Sequence, residues 1–260
     1  MTRKRVDTLL AERGLAPSRS AAAQSVRAGR VRLRDGRAIE KPSDLLPEEV
    51  QLVVEADREF VSRGGLKLHN ALEALPVRVA GRSCLDVGAS TGGFTDCLLR
   101  HGASEVIALD VGHGQLDWKL RTDPRVTPIE RVNARELQPE QLPYEPQLIT
   151  VDVSFISLTK LLDPLISAAA EEFDLLALVK PQFELGPERV GKGGVVRDEE
   201  ARRQALREVA TAIQARELVI RGFAASGLPG PKGNLETFIW AARSGRAVDD
   251  IEQALERVEA

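Results

Sequence analysis

The chain has 260 residues, 43% of them hydrophobic and 29% charged, with two cysteines and three histidines. Two cysteines cannot build a disulfide framework, three histidines without metal-ligand spacing argue against a metal enzyme, and no apolar run is long enough to cross a bilayer. The net charge of −3 conceals an asymmetry: residues 1–34 carry +7 and the remainder −10, which suits one end of the chain to a polyanion.

Met1-Thr-Arg-Lys-Arg5 leads into no signal-peptide core. Val6-Asp-Thr-Leu-Leu-Ala-Glu-Arg-Gly14 spaces its apolar residues for a helix with a glycine stop, and Ser18 caps a second helix through Ala28 to Gly29. Val31–Arg34 alternates as a short strand, Asp35-Gly36 forms a hairpin turn, and Val50–Val54 is a further strand. Two short helices and a small sheet predict an α+β module over residues 1–57, followed by a linker at 58–61. Arg3, Lys4 and Arg5 at its start, with Arg19, Arg27, Arg30, Arg32 and Arg34 on the second helix and the next strand, form a candidate RNA-binding surface. A plain solvated face is the competing reading. The pattern Arg5-Val-Asp-x-x-Leu, Arg13-Gly-Leu, Ser18-Arg-Ser-x-Ala and Gly29-Arg-Val-Arg resembles an S4 domain, and the resemblance implies a grip on structured RNA.

From Ser62 onwards strands and helices alternate. The pattern predicts a helix at 66–75, a strand Ser83–Val87, a glycine loop with a helix to His101, and strands at Glu105–Asp110 and Val126–Glu130. It continues with a strand ending at Asp152, a helix from Leu158, a strand ending at Lys180 and a long helix from Asp198 to Arg216. Strands Leu218–Ala224 and Leu235–Ala241 complete the set, and the tail from Ala247 spaces apolar residues along one helical face that packs on the body. Such alternation implies an α/β, Rossmann-like domain over 62–260, with a mostly parallel sheet covered on both faces. Cys84 and Cys97 lie in apolar surroundings and read as packed thiols of a reducing cytoplasm.

Asp86-Val-Gly88-Ala89-Ser90-Thr91-Gly92-Gly93, followed by Phe94, stands between a strand and a helix, where glycine admits a ligand to the backbone and the helix start offers free N–H groups. Ser90 occupies the place where a dinucleotide fingerprint needs its second glycine, so the loop suits a ligand without phosphates, such as S-adenosylmethionine. Asp110 ends the next strand, placed to accept from two ribose hydroxyls, with Val111 beside it. Asn133 is a candidate for the adenine edge or else a turn residue. Trp118 and Phe94 could stack on a base, although apolar packing is the safer reading for both.

Lys67, Asp152, Lys180 and Glu236 each close or flank a segment of regular structure. Strand ends of an open α/β sheet gather at one edge, so these two lysines and two carboxylates could meet as a proton-transfer site. Spacing by itself does not separate that from four unrelated surface charges. The motifs containing them are Ser62-Arg-Gly-Gly-Leu-Lys-Leu68, Asp152-Val-Ser-Phe-Ile-Ser-Leu158, Lys180-Pro-Gln-Phe-Glu184 and Gly230-Pro-Lys-Gly-Asn-Leu-Glu236. Together with Leu85–Cys97, Asp110–Lys119 and Gly191–Asp198, they closely resemble the TlyA family over nearly the whole chain.

That resemblance implies an FtsJ-type, S-adenosylmethionine-dependent transfer of methyl to the 2′-hydroxyl of cytidine in ribosomal RNA, with Lys67, Asp152, Lys180 and Glu236 as the catalytic set and no metal. Ribosomal RNA or a ribosomal subunit is then the partner, and the cytoplasm the location. Lys180 is the candidate base, oriented by Asp152 and made readier to release its proton by a neighbouring Lys67; Asp152 also serves the cofactor's amino end, and Glu236 holds Lys67 and the ribose. Phe60 and Gly227 depart from the Trp and Pro of other members. Two alternatives are a non-catalytic RNA-binding or ribosome-associated protein and, from the haemolysin label of some members, a membrane-active toxin, which no segment of the sequence supports.

Overall fold

In the computed structural model, which describes residues 3–27, 31–54, 60–191, 193–230 and 232–259, the basic N-terminal segment builds two helices and four short strands. Strand β1 (Arg3–Arg5) leads into α1 (Val6–Glu12) and α2 (Arg19–Arg27), followed by β2 (Val31–Leu33), β3 (Leu45–Pro47) and β4 (Leu52–Val54). Val6, Leu9 and Leu10 of α1 and Ala22 and Val26 of α2 share one buried cluster with Val31, Leu33 and Leu52, so the helical spacing seals the helices onto the strands. Two antiparallel ladders form, β1 with β3 and β2 with β4, where one small sheet is expected. Arg3-Lys-Arg5 has no apolar alternation to announce a strand. Gly36 turns the chain at φ +88 and donates its N–H to the Leu33 carbonyl at 2.9 Å, as Asp35-Gly36 predicts. The expected end of the second helix, Ala28-Gly29, lies outside the described residues.

The chain divides into two units, Met1–Arg58 and Glu59–Ala260. The second unit begins with α3 (Arg63–Ala74), β5 (Ser83–Val87), α4 (Gly93–Arg100), β6 (Glu105–Asp110), α5 (Trp118–Arg121) and β7 (Val126–Glu130). It continues with β8 (Leu148–Val151), α6 (Leu162–Ala168), β9 (Asp174–Val179), α7 (Pro181–Glu184), α8 (Glu199–Gln214), β10 (Val219–Ala225), β11 (Thr237–Ala242) and α9 (Ile251–Glu259).

These strands form a seven-stranded sheet in the order β10-β11-β9-β8-β5-β6-β7. Strands β9, β8, β5, β6 and β7 run parallel, and β11 lies antiparallel between β9 and β10. Alternate residues feed opposite cores. Leu85, Ile107, Ile149 and Leu175 join α6, α8 and α9, whereas Cys84, Val106, Leu148 and Leu176 join α3 and α4. The expected α/β architecture is therefore present, with both faces covered.

Register sets the working edge. Val87 lies level with Val151 and Leu109, so the residues just beyond β5, β6 and β8 leave the sheet together. Strand order reverses between β5 and β8, with β6 and β7 added on one side and β8 and β9 on the other, the switch point at which such sheets open a crevice. Val179 pairs with Thr237, so antiparallel β11 starts where β9 stops, and this brings Glu236 beside Lys180 in the register.

Element boundaries shift in three places. Helix α3 starts at Arg63, earlier than position 66. The helix expected from Leu158 is a 3-10 turn over Leu158–Lys160, and α6 begins only at Leu162. The strand expected from Leu235 starts at Thr237, because Leu235 is half-exposed while Asn234 and Glu236 turn inward. Phe60 and Val61, assigned by sequence to a linker, are built into the second unit. Phe60 is buried against Gly65 under the Arg100 guanidinium, and the Val61 N–H donates to Asp96 Oδ2 at 2.9 Å. The tail helix packs as expected, with Leu255 fully buried.

Candidate active site

Two ion pairs stand at the sheet edge. Lys180 Nζ lies 2.5 Å from Asp152 Oδ1 and donates to Ser154 Oγ at 3.2 Å. Lys67 Nζ meets Glu236 Oε2 in a short contact between two side chains that are almost fully buried. Each lysine thus has its own counter-ion. Both partnerships are those the resemblance implies, and Glu236 compensates the Lys67 charge that is expected to act on Lys180.

Helix α3 delivers Lys67 through a face stapled to the segment that carries Glu236. Arg63 Nη2 donates to the Pro229 carbonyl at 2.8 Å, and Asn70 Nδ2 donates to the Ser226 carbonyl at 3.0 Å. Residues 63, 67 and 70 are spaced four and three apart, one stripe of a helix. A Cβ on Gly230 would stand 2.4 Å from Glu236 Oε1, so only glycine lets the backbone pass that close. Asn234, 2% exposed, accepts from the Val196 N–H at 2.9 Å and donates to the Gly194 carbonyl at 2.8 Å, tying the Gly191–Asp198 loop to this segment.

Beside the pairs runs a cleft of about 450 Å³, bordered by Gly88, Ser90, Asp110, Val111, Asn133 and Asp152. A smaller cavity of about 130 Å³ shares Gly88, Ser90 and Asp152 with it and adds Ser62, Gly64, Ala89, Thr91, Gly93 and Phe94. Gly88 has φ +84, and a Cβ there would stand 2.4 Å from the Asp152 carbonyl, so the loop requires glycine. Asp110 organises the loop from the next strand: Oδ2 accepts the Ser90 N–H at 2.7 Å and Oδ1 the Gly112 N–H at 2.6 Å. Each oxygen keeps a further acceptor site.

Not every sequence candidate lines these cavities. Gly92 faces inward, its absent Cβ filled by Leu116 and Leu120, so it packs α5 under the loop. Asp86 is fully buried behind the loop, accepting from Thr95 Oγ1 at 2.7 Å, and burial pushes its carboxyl up to about 7. Phe94 is buried against Phe238 and reaches only the smaller cavity, so packing dominates as the safer reading held. Asn133 serves both readings: its Oδ1 caps the 134–136 turn at 3.2 Å from the Arg135 N–H, and the residue borders the cleft. Trp118 is 75% exposed, against the packing expected of it.

In the first unit, Lys4 pairs with Glu12 and Glu48, and both Arg5 and Arg19 pair with Asp7. The Arg5 guanidinium beside Asp7 holds its carboxyl at about 2 against the opposing effect of burial. Part of the basic excess is therefore compensated. Arg3 is exposed; Arg32 donates to the Gly36 carbonyl at 3.4 Å. The Arg27 side chain and Arg30 lie outside the described residues.

Several residues at the site escaped the sequence reading. Phe155 is 91% exposed at φ +66, its ring 5.2 Å from that of Phe183, and it borders both the cleft and a further cavity of about 550 Å³. Glu184 shapes this region, accepting from Ser157 Oγ at 2.6 Å and the Leu158 N–H at 3.0 Å, and burial raises its carboxyl above the usual range. Glu130 anchors the loop after β6, accepting from His113 Nδ1 at 2.8 Å, the Gly114 N–H at 2.9 Å and Arg121. Only the exposed apolar ring within Asp152-Val-Ser-Phe could have signalled Phe155. Among the described residues no group of side chains could hold a metal ion, and no helix is long and apolar enough to cross a membrane.

Residues 60–243 match the family of FtsJ-like methyltransferases, and residues 4–52 match the S4 domain. The chain is 47% identical to the 16S/23S rRNA (cytidine-2′-O)-methyltransferase TlyA of Mycobacterium tuberculosis, over 98% of this chain and 97% of that protein. It is 39% identical to a Brachyspira hyodysenteriae protein named hemolysin A, over 89% of this chain and 97% of that one. A solved structure from Streptococcus thermophilus, described as a hemolysin, superposes with a TM-score of 0.75 at 36% identity, covering 100% of this chain and 95% of that one.

Proposed function

The chain belongs to the TlyA family of FtsJ-like methyltransferases that carry an S4 domain, and we propose that it transfers a methyl group from S-adenosylmethionine to the 2′-hydroxyl of a cytidine in ribosomal RNA. The observation that carries this reading is that the Asp152–Lys180 and Lys67–Glu236 pairs stand at the adjoining ends of β9 and β11, with Asp152 also lining the cleft beside Gly88.

The residues present fit the cofactor. Gly88 leaves the backbone of the loop open beside Asp152, Asp110 has acceptor sites for two ribose hydroxyls, and Val111 and Asn133 border the space for adenine. The smaller cavity, with Ser62, Gly64 and Thr91, suits the amino-acid end. When bound, the cofactor supplies an electrophilic methyl group on a sulfonium.

The remaining task falls to the chain: to align the attacking oxygen and to take its proton. Lys180 is the proposed proton acceptor, aimed by Asp152 and Ser154. The Lys67–Glu236 pair, rigidly held by Arg63 and Asn70 on α3, is proposed to orient the ribose through one donor and one acceptor. Phe155, exposed and backed by Phe183, is proposed to stack on the target base, since unpaired RNA bases are held by aromatic faces. The S4 unit is proposed to bind the same RNA. A cytoplasmic location goes with this reading.

The test is methyl transfer from labelled S-adenosylmethionine to unmodified 16S and 23S RNA by the purified protein, followed by mapping of 2′-O-methyls. Label on cytidine ribose is expected; label on a base, or none, would overturn the proposal.

A further inference from the structure

Several cations of the second unit are tied to carboxylates. Arg125 pairs with Asp123, Arg207 with Glu200 and Glu252, Arg216 with Asp163, and Arg246 with Asp249. Arg63, Arg197 and Lys232 are exposed and form no ion pair among the described residues. All three sit on segments joined to the Lys67–Glu236 pair. Arg63 is one helical turn before Lys67, and its guanidinium is held by the neutral Pro229 carbonyl, which fixes its position without cancelling its charge. Lys232 lies on the turn closed by the Gly233 and Gly230 N–H donors, four residues before Glu236. Its Nζ is 3.6 Å from where a Cβ on Gly194 would stand. Arg197 follows Val196, whose N–H is clamped by the buried Asn234. Three segments distant in sequence thus present free positive charge from one built framework.

Given the activity proposed above, on which this rests, we infer that Arg63, Lys232 and Arg197 form a phosphate-binding rim on the catalytic unit. It grips the backbone of the RNA strand beside the target ribose and is separate from the S4 unit. Unpaired cations on a rigid frame suit a polyanion, because each contact releases condensed counterions, whereas cations already paired release few. A buried clamp such as Asn234 at the base of two exposed loops limits the ordering cost when the strand arrives.

The test compares full-length parent, the double variant Arg63→Gln/Lys232→Gln, and Arg246→Gln, whose cation is already paired, as control. The probes are unmodified 16S and 23S RNA. The double variant is expected to raise KM for RNA at least about tenfold. Its plot of log affinity against log salt should be shallower by about 1.5, from a loss of roughly 0.7–0.9 per phosphate contact. Binding of S-adenosylmethionine, measured by calorimetry, should equal that of the parent, which also verifies the fold. Asn234→Ala should act in the same direction. Parental KM and salt slope in the double variant would overturn the rim, even with methyl transfer intact. Failure of the parent itself to methylate RNA would instead overturn the proposed function, while the salt slopes would still test the rim.

Discussion

Lys180 and Lys67 look alike in sequence, yet the structure gives them different partners and so different expected losses. Lys180→Ala is expected to reduce single-turnover methyl transfer by at least about 100-fold, within the usual contribution of a positioned base, with affinities for S-adenosylmethionine and RNA unchanged. A near-parental rate would show that another group takes the proton. Lys67→Met removes the counter-ion of the buried Glu236 and should cost stability as well as rate, of the order of 3–5 kcal/mol for a broken buried pair; urea unfolding checks this. Gly88→Val places a side chain against the Asp152 carbonyl at a positive φ and should abolish cofactor binding by calorimetry while RNA binding persists. Asp86 yields a pH dependence. Burial pushes its carboxyl up to about 7, well above the usual carboxylate range, so the folded state binds the proton more tightly than the unfolded chain. The stabilisation this gives is complete below the unfolded value and is lost as pH rises through about 7. It amounts to at most about 4 kcal/mol. The stability difference between parent and Asp86→Asn, measured by urea unfolding, should therefore shift in favour of the variant between about pH 4.5 and 7.5; a constant difference would show that Asp86 does not titrate there. Lys67, Asp152, Lys180 and Glu236 were legible as residues because each borders a patterned segment. Their pairing came only with the family resemblance, since nothing in a linear pattern says which lysine meets which carboxylate, and the structure shows the same two pairs.

At the scale of elements, helix α3 and strand β11 do most to build the site. The three contacts from Arg63, Lys67 and Asn70 hold the segment before β11, and that strand's antiparallel course brings Glu236 to the edge where β9 releases Lys180. Sequence reading saw two final strands but not that β11 inserts between β9 and β10, because strand order depends on long-range pairing that leaves no local signal. Helix α9 illustrates the opposite case. The apolar spacing of the tail was legible at Val248, just before the helix, and at Ile251, Ala254, Leu255 and Val258 within it, and all five pack on the body. Leu255→Ala should cost about 2–5 kcal/mol, the usual range for a leucine lost from a packed core, with cofactor affinity unchanged. An unaltered urea midpoint would mean that the helix does not dock in solution.

For the whole molecule, two units with separate cores imply separable tasks. Removing residues 1–58 should leave a folded body that binds S-adenosylmethionine but no longer methylates ribosomal RNA efficiently. The cut must spare Phe60 and Val61, which belong to the second core and to Asp96. A truncated protein with parental KM for RNA would show that the S4 unit is not needed for substrate binding.

Sequence by itself determined the α/β class, the S4-like module, the glycine loop with its acidic partner and the four polar residues of the site, because periodicity and turn chemistry are written locally. Tertiary structure alone decided that Asp86 and Gly92 support the loop from behind and that Phe155 stands exposed at the cleft. These outcomes depend on strand order and on which side chains exclude water from which others. Both are properties of the packed chain, set by contacts between residues far apart along it.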